Sequence, residues 1–282
     1  MGVTRTSTVL IAAASLLLGS GGAAPARSTP SPVARTGEES ASTRAARTGM
    51  PVELVGERAE TRSVFANPDG SFSVEQHARP IRVRRDGGWV PVDATLRGSP
   101  DGSLSPVATR LGLRLSGGGA GPLVTLSDGD RSVSLFWPGP LPAPVVDGPT
   151  ATYLEVIPGV DLAVTADVEG FTQVLVVKNR QAAHDPKLAL VRFGTVTRGV
   201  ALSTDPDGTL RAADPRGDVV FRGPAPTMWD SGGHGGDAAS RLVAPARGAR
   251  QAVLRTEVGR GDLTVAPDMS MVDDPKTRFP VY

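Results

Sequence analysis

From Pro51 onward this chain is written in short alternations of apolar and polar residues, and that period constrains its fold more than any other feature. Phe72 and Val74 alternate with Ser71, Ser73 and Glu75. Ile81 and Val83 alternate with Arg82 and Arg84, and Leu111, Leu113 and Leu115 with Gly112 and Arg114. Leu162, Val164, Ala166 and Val168 repeat the pattern. Successive side chains of a strand point to opposite faces, so each run lays one face on a core and leaves the other to water. Val174-Leu175-Val176-Val177 is continuously apolar and is expected to be covered on both sides. Val219-Val220-Phe221 is a shorter run of the same kind.

The connectors agree with the strands. Pro68-Asp69-Gly70, Pro100-Asp101-Gly102 and Pro206-Asp207-Gly208 are copies of one turn signal. Proline presets φ, aspartate tolerates the second central position, and glycine takes the positive φ that follows. Asp86-Gly87 and Asp128-Gly129 are hairpin candidates. Pro158-Gly159 is expected to turn Tyr153–Val156 back onto Leu162–Val168. Such close spacing predicts an all-β fold, an antiparallel β-sandwich-like domain with short turns, rather than βαβ units. The segments between turns differ in length and pattern, which excludes a solenoid or propeller. Trp89, Trp137, Phe171 and Phe221 are the expected aromatic core, with Tyr153 packed on it and its hydroxyl at the rim.

The N-terminus carries an export signal. Arg5 precedes the apolar run Val9 to Leu18, and Ala24-Pro25-Ala26 places small residues at a cleavage site, so residues 1–26 are expected to be a signal peptide cut after Ala26. The run is shorter than the roughly 20 apolar residues of a membrane span. Residues 27–50 lack an apolar period and read as a disordered linker, in which a weak helix from Glu38 to Arg47 would have no apolar face to bury. The β-sandwich-like domain is expected over 51–230, a flexible Gly/Ala-rich connection over 231–250, and C-terminal strands packed on the main domain over 251–282, with Leu263 to Val265 docked on its sheets. The apolar and aromatic end Arg278–Tyr282 is unusual for a terminus and is expected to belong to a larger architecture.

Composition narrows the function classes. The chain has no cysteine, so an exported form must be held by its core alone. Lys plus Arg is 30 against 29 Asp plus Glu, leaving no basic excess to drive nucleic-acid binding. Aromatic residues make up 4%, too few for a surface of sugar-stacking platforms.

Several constellations suggest chemistry, and none has the spacing it needs. Asp230-Ser231-Gly232-Gly233 and Ala182-Ala183-His184 resemble the nucleophile loop and histidine segment of trypsin-like proteases, but they lie too close in sequence for that fold. His77, His184 and His234 are too dispersed for a metal site without distant carboxylates. Asp205 and Asp207 before Gly208 could hold calcium, and a hairpin turn explains them better. Glu155, Asp161, Asp167 and Glu169 could supply a glycosidase pair, and solvated strand faces account for them more simply. Arg216-Gly217-Asp218 and Arg260-Gly261-Asp262 match the tripeptide read by animal integrins, although Gly-Asp is ordinary turn chemistry. Ser116 to Gly121 is glycine-dense without a helix behind it, and so reads as a loose loop rather than a phosphate cradle. No catalytic, cofactor-binding or metal-ligating residue is assigned, and no cofactor is expected.

Three stretches carry a resemblance. Tyr153–Leu162 running into Glu169–Lys178, Ala225–Ser231, and Asp274–Tyr282 together resemble the N-terminal region of large secreted actinobacterial proteins that carry downstream LamG-like jelly-roll or RHS/YD-repeat modules. The resemblance implies an exported β-rich module without assigned catalytic residues. The expectation is therefore a non-catalytic secreted module for cell-surface or extracellular assembly, with other surface proteins or cell-wall polysaccharide as partners and no nucleic acid. The alternatives are an extracellular hydrolase centred on Ser231 or an acid from Glu155 to Glu169, and a polysaccharide-binding module using Trp89 or Trp137.

Overall fold

A computed structural model describes residues 32–235 and 237–282. The expected signal peptide, residues 1–26, lies outside the described residues. The regular structure is mostly antiparallel β-sheet with few helices, the all-β sandwich-like class that the alternation predicts. No helix of the described residues is long and apolar enough to cross a membrane.

The expected linker is helical over much of its length. Helix α1 spans Pro32–Thr48 and buries Ala41 and Ala45 against Leu54 and Ala66. A face made of two alanines four residues apart looks featureless in sequence. It suffices here because small side chains let the helix approach closely, and alanine favours helix intrinsically. Gly49, at φ +68°, donates its N–H to the Ala45 carbonyl and ends the helix.

Contacts divide the chain between Asp93 and Ala94, inside the 51–230 span. In the first unit β1 (Val52–Glu53), β2 (Arg62–Ala66) and β3 (Phe72–Gln76) form an antiparallel sheet in that order. Strands β4 (Arg82–Arg85) and β5 (Gly88–Pro91) form a hairpin. Asp86 and Gly87 both have positive φ, as a two-residue hairpin turn requires. Glu53 receives Arg58 at 2.6 Å and Arg82 at 2.9 Å, and Arg82 also donates to the Ser63 hydroxyl.

The second unit, Ala94–Tyr282, carries two main sheets. Its strands run β6 (Asp93–Gly98), β7 (Leu104–Ala108), β8 (Gly112–Leu115), β9 (Val124–Asp128), β10 (Arg131–Phe136), β11 (Val145–Asp147), β12 (Thr150–Ile157), β13 (Val160–Asp167) and β14 (Gly170–Val177). Helix α2 (Arg180–Ala183) follows, then β15 (Val191–Arg198), β16 (Ala201–Thr204), β17 (Leu210–Ala213), β18 (Val219–Gly223) and β19 (Thr227–Trp229). Helix α3 (Ala238–Arg241), β20 (Gln251–Val253), β21 (Arg255–Val258), β22 (Asp262–Ala266) and α4 (Met269–Asp273) complete it. One sheet has the order β21-β22-β15-β10-β9-β8-β7-β6, the other β11-β12-β13-β14.

A shared core joins these sheets. Leu113, Leu115, Val124 and Phe193 come from the first, and Tyr153, Leu162 and Val164 from the second. Each such side chain contributes about 1.5–3 kcal/mol when fully buried. Tyr153 is fully buried, and its hydroxyl donates to the Ser116 carbonyl at 2.7 Å instead of lying at the rim. Trp137 and Phe221 are core residues, and Trp137 meets Phe193 edge-on at 5.7 Å. Trp89 is only half-buried, with the Arg84 guanidinium over its ring at 4.9 Å. Strands β16, β17 and β18 form a smaller sheet over Leu111. There a bulge between Ala212 and Ala213 lets the consecutive Val220 and Phe221 both be buried.

The C-terminal strands return to the unit by two routes. Strand β22 extends the long sheet by pairing with β15, Leu263 opposite Phe193 and Val265 opposite Val191. Strand β20 pairs with β19. The 231–250 connection contains α3 and is tied by Trp229 Nε1 donating to the Arg241 carbonyl and by Arg241 donating to the Ser231 carbonyl. Ser116 to Gly121 is also pinned, through a bridge from Gly119 to Leu141, rather than loose.

The run Val174-Leu175-Val176-Val177 has a different place from the expected one. It lies in β14, the outermost strand of its sheet, and only Val174 of the four is fully buried.

Candidate functional site

The three stretches singled out in the sequence meet at one point. Val281 bridges Val177 at the end of β14 and Asp230 just after β19, antiparallel to both. Val177 and Val281 exchange both backbone hydrogen bonds, as do Trp229 and Tyr282, whose rings stack at 5.8 Å. The Asp230 carboxylate, 2% exposed, closes the junction. Its Oδ1 accepts the backbone N–H of Gly232 at 3.1 Å and of Arg250 at 2.9 Å, and its Oδ2 accepts the Arg278 N–H at 3.1 Å. One side chain thus ties together segments 20 and 48 residues away.

The other candidate groups are engaged in structure. The Ser231 hydroxyl donates to the Arg278 carbonyl at 3.1 Å, while His184, following α2, lies 3.3 Å from Asp273 in α4. Among the described residues no hydrogen bond joins Ser231 to His184. Glu155 and Asp161 converge on Lys178, Asp161 at 2.7 Å. The Lys178 ammonium and the Gly159 N–H hold the Glu155 carboxyl below the usual carboxylate range, and Asp161 and Glu155 raise Lys178. Glu155 sits at φ +52° in a bulge of β12, a position that costs a side-chain-bearing residue about 1–2 kcal/mol. Asp161 and Asp167 share the outer face of β13 as the even spacing predicts. Six strand residues apart, they stand roughly 20 Å from each other, beyond the separations of about 5–9.5 Å that sugar cleavage uses.

Asp205 pairs with Arg211 at 3.0 Å, and Asp207 accepts the Thr209 N–H in its turn. Both Arg-Gly-Asp tripeptides occupy hairpin tips, between β17 and β18 and between β21 and β22. The second is tied back by Asp262 on Arg192 at 2.9 Å.

What sequence reasoning missed is a cavity of about 400 Å³ along the inner face of β14. Well-packed interiors contain few voids larger than a water molecule, and small-molecule and cofactor pockets begin near 300 Å³. One wall is the row Phe171, Gln173, Leu175 and Val177, which alternation directs toward the core together with Leu162. The facing wall comes from the long sheet, including Leu135, Phe193 and Leu263. Phe221 also lines it, and Trp229, Val281 and Tyr282 line it at the Val177 end. From Phe171 to Val177 the row runs roughly 20 Å, so the cavity is a narrow apolar trough. Gln173 is the polar exception in its row, and its Oε1 is buried without a hydrogen-bond partner among the described residues. The signal available in the sequence was the one polar residue interrupting Phe171, Leu175 and Val177.

Comparison with known proteins yields no matching family model, no similar curated protein and no similar solved structure.

Proposed function

We propose that this chain is a non-catalytic, exported β-module for cell-surface or extracellular assembly, resembling the N-terminal region of large secreted actinobacterial proteins. The observation that carries the reading is the contrast between its polar candidates and its apolar trough. Ser231, Asp230, Glu155 and Asp161 are each engaged in a hydrogen bond or ion pair that fastens the fold. The trough, in contrast, offers apolar walls and an acceptor with no donor among the described residues, features suited to holding a partner. Export rests on the apolar run Val9–Leu18 and the small residues before Arg27.

The test has two parts. Expression in a secreting host should deliver the chain, processed after Ala26, to the medium or cell surface. The purified protein should then leave ester, peptide and glycan substrates intact. Turnover abolished by Ser231→Ala or Asp161→Asn would establish the hydrolase alternative instead. Retention of an unprocessed chain inside the cell would refute export.

A further inference from the structure

We propose that the free edge of β14 is a docking edge for an extended strand of another polypeptide, whose alternate apolar side chains fill the trough. This deepens the assembly reading and rests on it. The geometry begins with the hydrogen-bond pattern. Lys178 donates to the Gly159 carbonyl, so the even-numbered residues of this strand bond toward β13. Val177 exchanges its bonds with Val281 on the other side. By the period of an antiparallel ladder, Phe171, Gln173 and Leu175 present their N–H and C=O groups on that same outer side. The register of β13 and β14 is unbroken, so the period holds along the whole strand. Among the described residues, no backbone partner meets those three positions there.

The same three residues turn their side chains into the trough. An antiparallel strand laid along this edge would therefore satisfy their backbone groups and place every second side chain in the cavity. Val281 already does both at one end: it pairs with Val177, and its side chain is buried in the lining. The docked strand continues that ladder. The residue opposite Gln173 faces its carboxamide, and a hydroxyl or amide there supplies the missing donor to Oε1. The occupant is thus a segment with period-two apolar residues and one hydrogen-bonding side chain, bound by strand addition. An uncovered apolar edge strand of this length is an aggregation liability unless a partner takes it.

A short peptide whose inward residues run valine, threonine, valine, with threonines between them, tests the proposal on the full chain, alongside the same peptide N-methylated at those three inward residues. The unmethylated peptide should slow amide exchange at Phe171, Gln173 and Leu175 by about tenfold or more, and should shift the fluorescence of Trp229, which lines the trough. The methylated peptide keeps every side chain but cannot complete the ladder, so it should do neither. Leu175→Pro removes an outward N–H, which an edge strand tolerates, together with the leucine side chain in the trough, and should abolish binding of the unmethylated peptide. Equal effects of both peptides, or no protection of the three amides, would overturn the proposal. So would uptake of dodecanoate that shifts Trp229 while the amides stay unprotected and the peptide fails to compete. Any of those results leaves the non-catalytic assembly reading standing, because that reading falls only on turnover or failed export.

Discussion

Replacing Asp230 separates a structural carboxylate from a reactive one. Its two oxygens accept three backbone N–H groups, from Gly232, Arg250 and Arg278, at 2.9–3.1 Å in a site 2% exposed. Hydrogen bonds to a charged acceptor contribute about 1.5–3 kcal/mol each. Asp230→Ala removes all three bonds to the charged acceptor, an expected loss of about 5 kcal/mol. Asp230→Asn is the sharper test, because its shape is the same. The Asn oxygen can keep Gly232 and Arg250 while the new amide group opposes the Arg278 N–H. One bond is lost and a donor faces a donor, an expected loss of about 2–3 kcal/mol. For a domain of this size that lowers the melting temperature by roughly 5–10 °C. Urea unfolding followed by tryptophan fluorescence measures the loss. Amide exchange locates it, with Arg278 expected to lose protection more than Gly232 or Arg250. An Asn variant as stable as the parent, with Arg278 still protected, would refute the claim that this carboxylate fastens the C-terminal segment.

Tyr153→Phe leaves the Ser116 carbonyl buried without its donor, and should cost about 1–2 kcal/mol in urea unfolding without moving the backbone. Gly159→Ala should cost more than that, because a Cβ there would lie 2.7 Å from Ala182 Cβ and the residue has φ +76°; calorimetry would show the lowered melting temperature. Glu53 supplies a pH dependence. Its hydrogen bond from Arg58, reinforced by Arg82 against the opposing effect of burial, lowers its pKa in the fold. Its stabilisation is therefore complete above the usual glutamate value of about 4.3 and is lost as pH falls through the lower folded value. The stability advantage over Glu53→Gln should be present at neutral pH and shrink on acidification below about pH 4, with Trp89 fluorescence following the first unit. An advantage that grows on acidification would contradict the sign.

Local chemistry is written in the sequence itself. Gly70, Gly102 and Gly208 adopt φ of +82° to +84°, and each preceding aspartate accepts a hydrogen bond from the residue after the glycine. Such turns are decided within four residues, so three copies of Pro-Asp-Gly suffice to place them. The buried row Val160, Leu162, Val164 and Ala166 follows likewise from a period that the pleat imposes. Only the tertiary structure decided that α1 has a partner for its two alanines, that Asp230 receives the Arg278 N–H, and that β14 stands at an edge above an open trough. Each of these depends on which distant segments close upon one another. A residue's neighbours along the chain set its backbone angles and its facing, but the strand beside it is chosen by the packing of the whole unit.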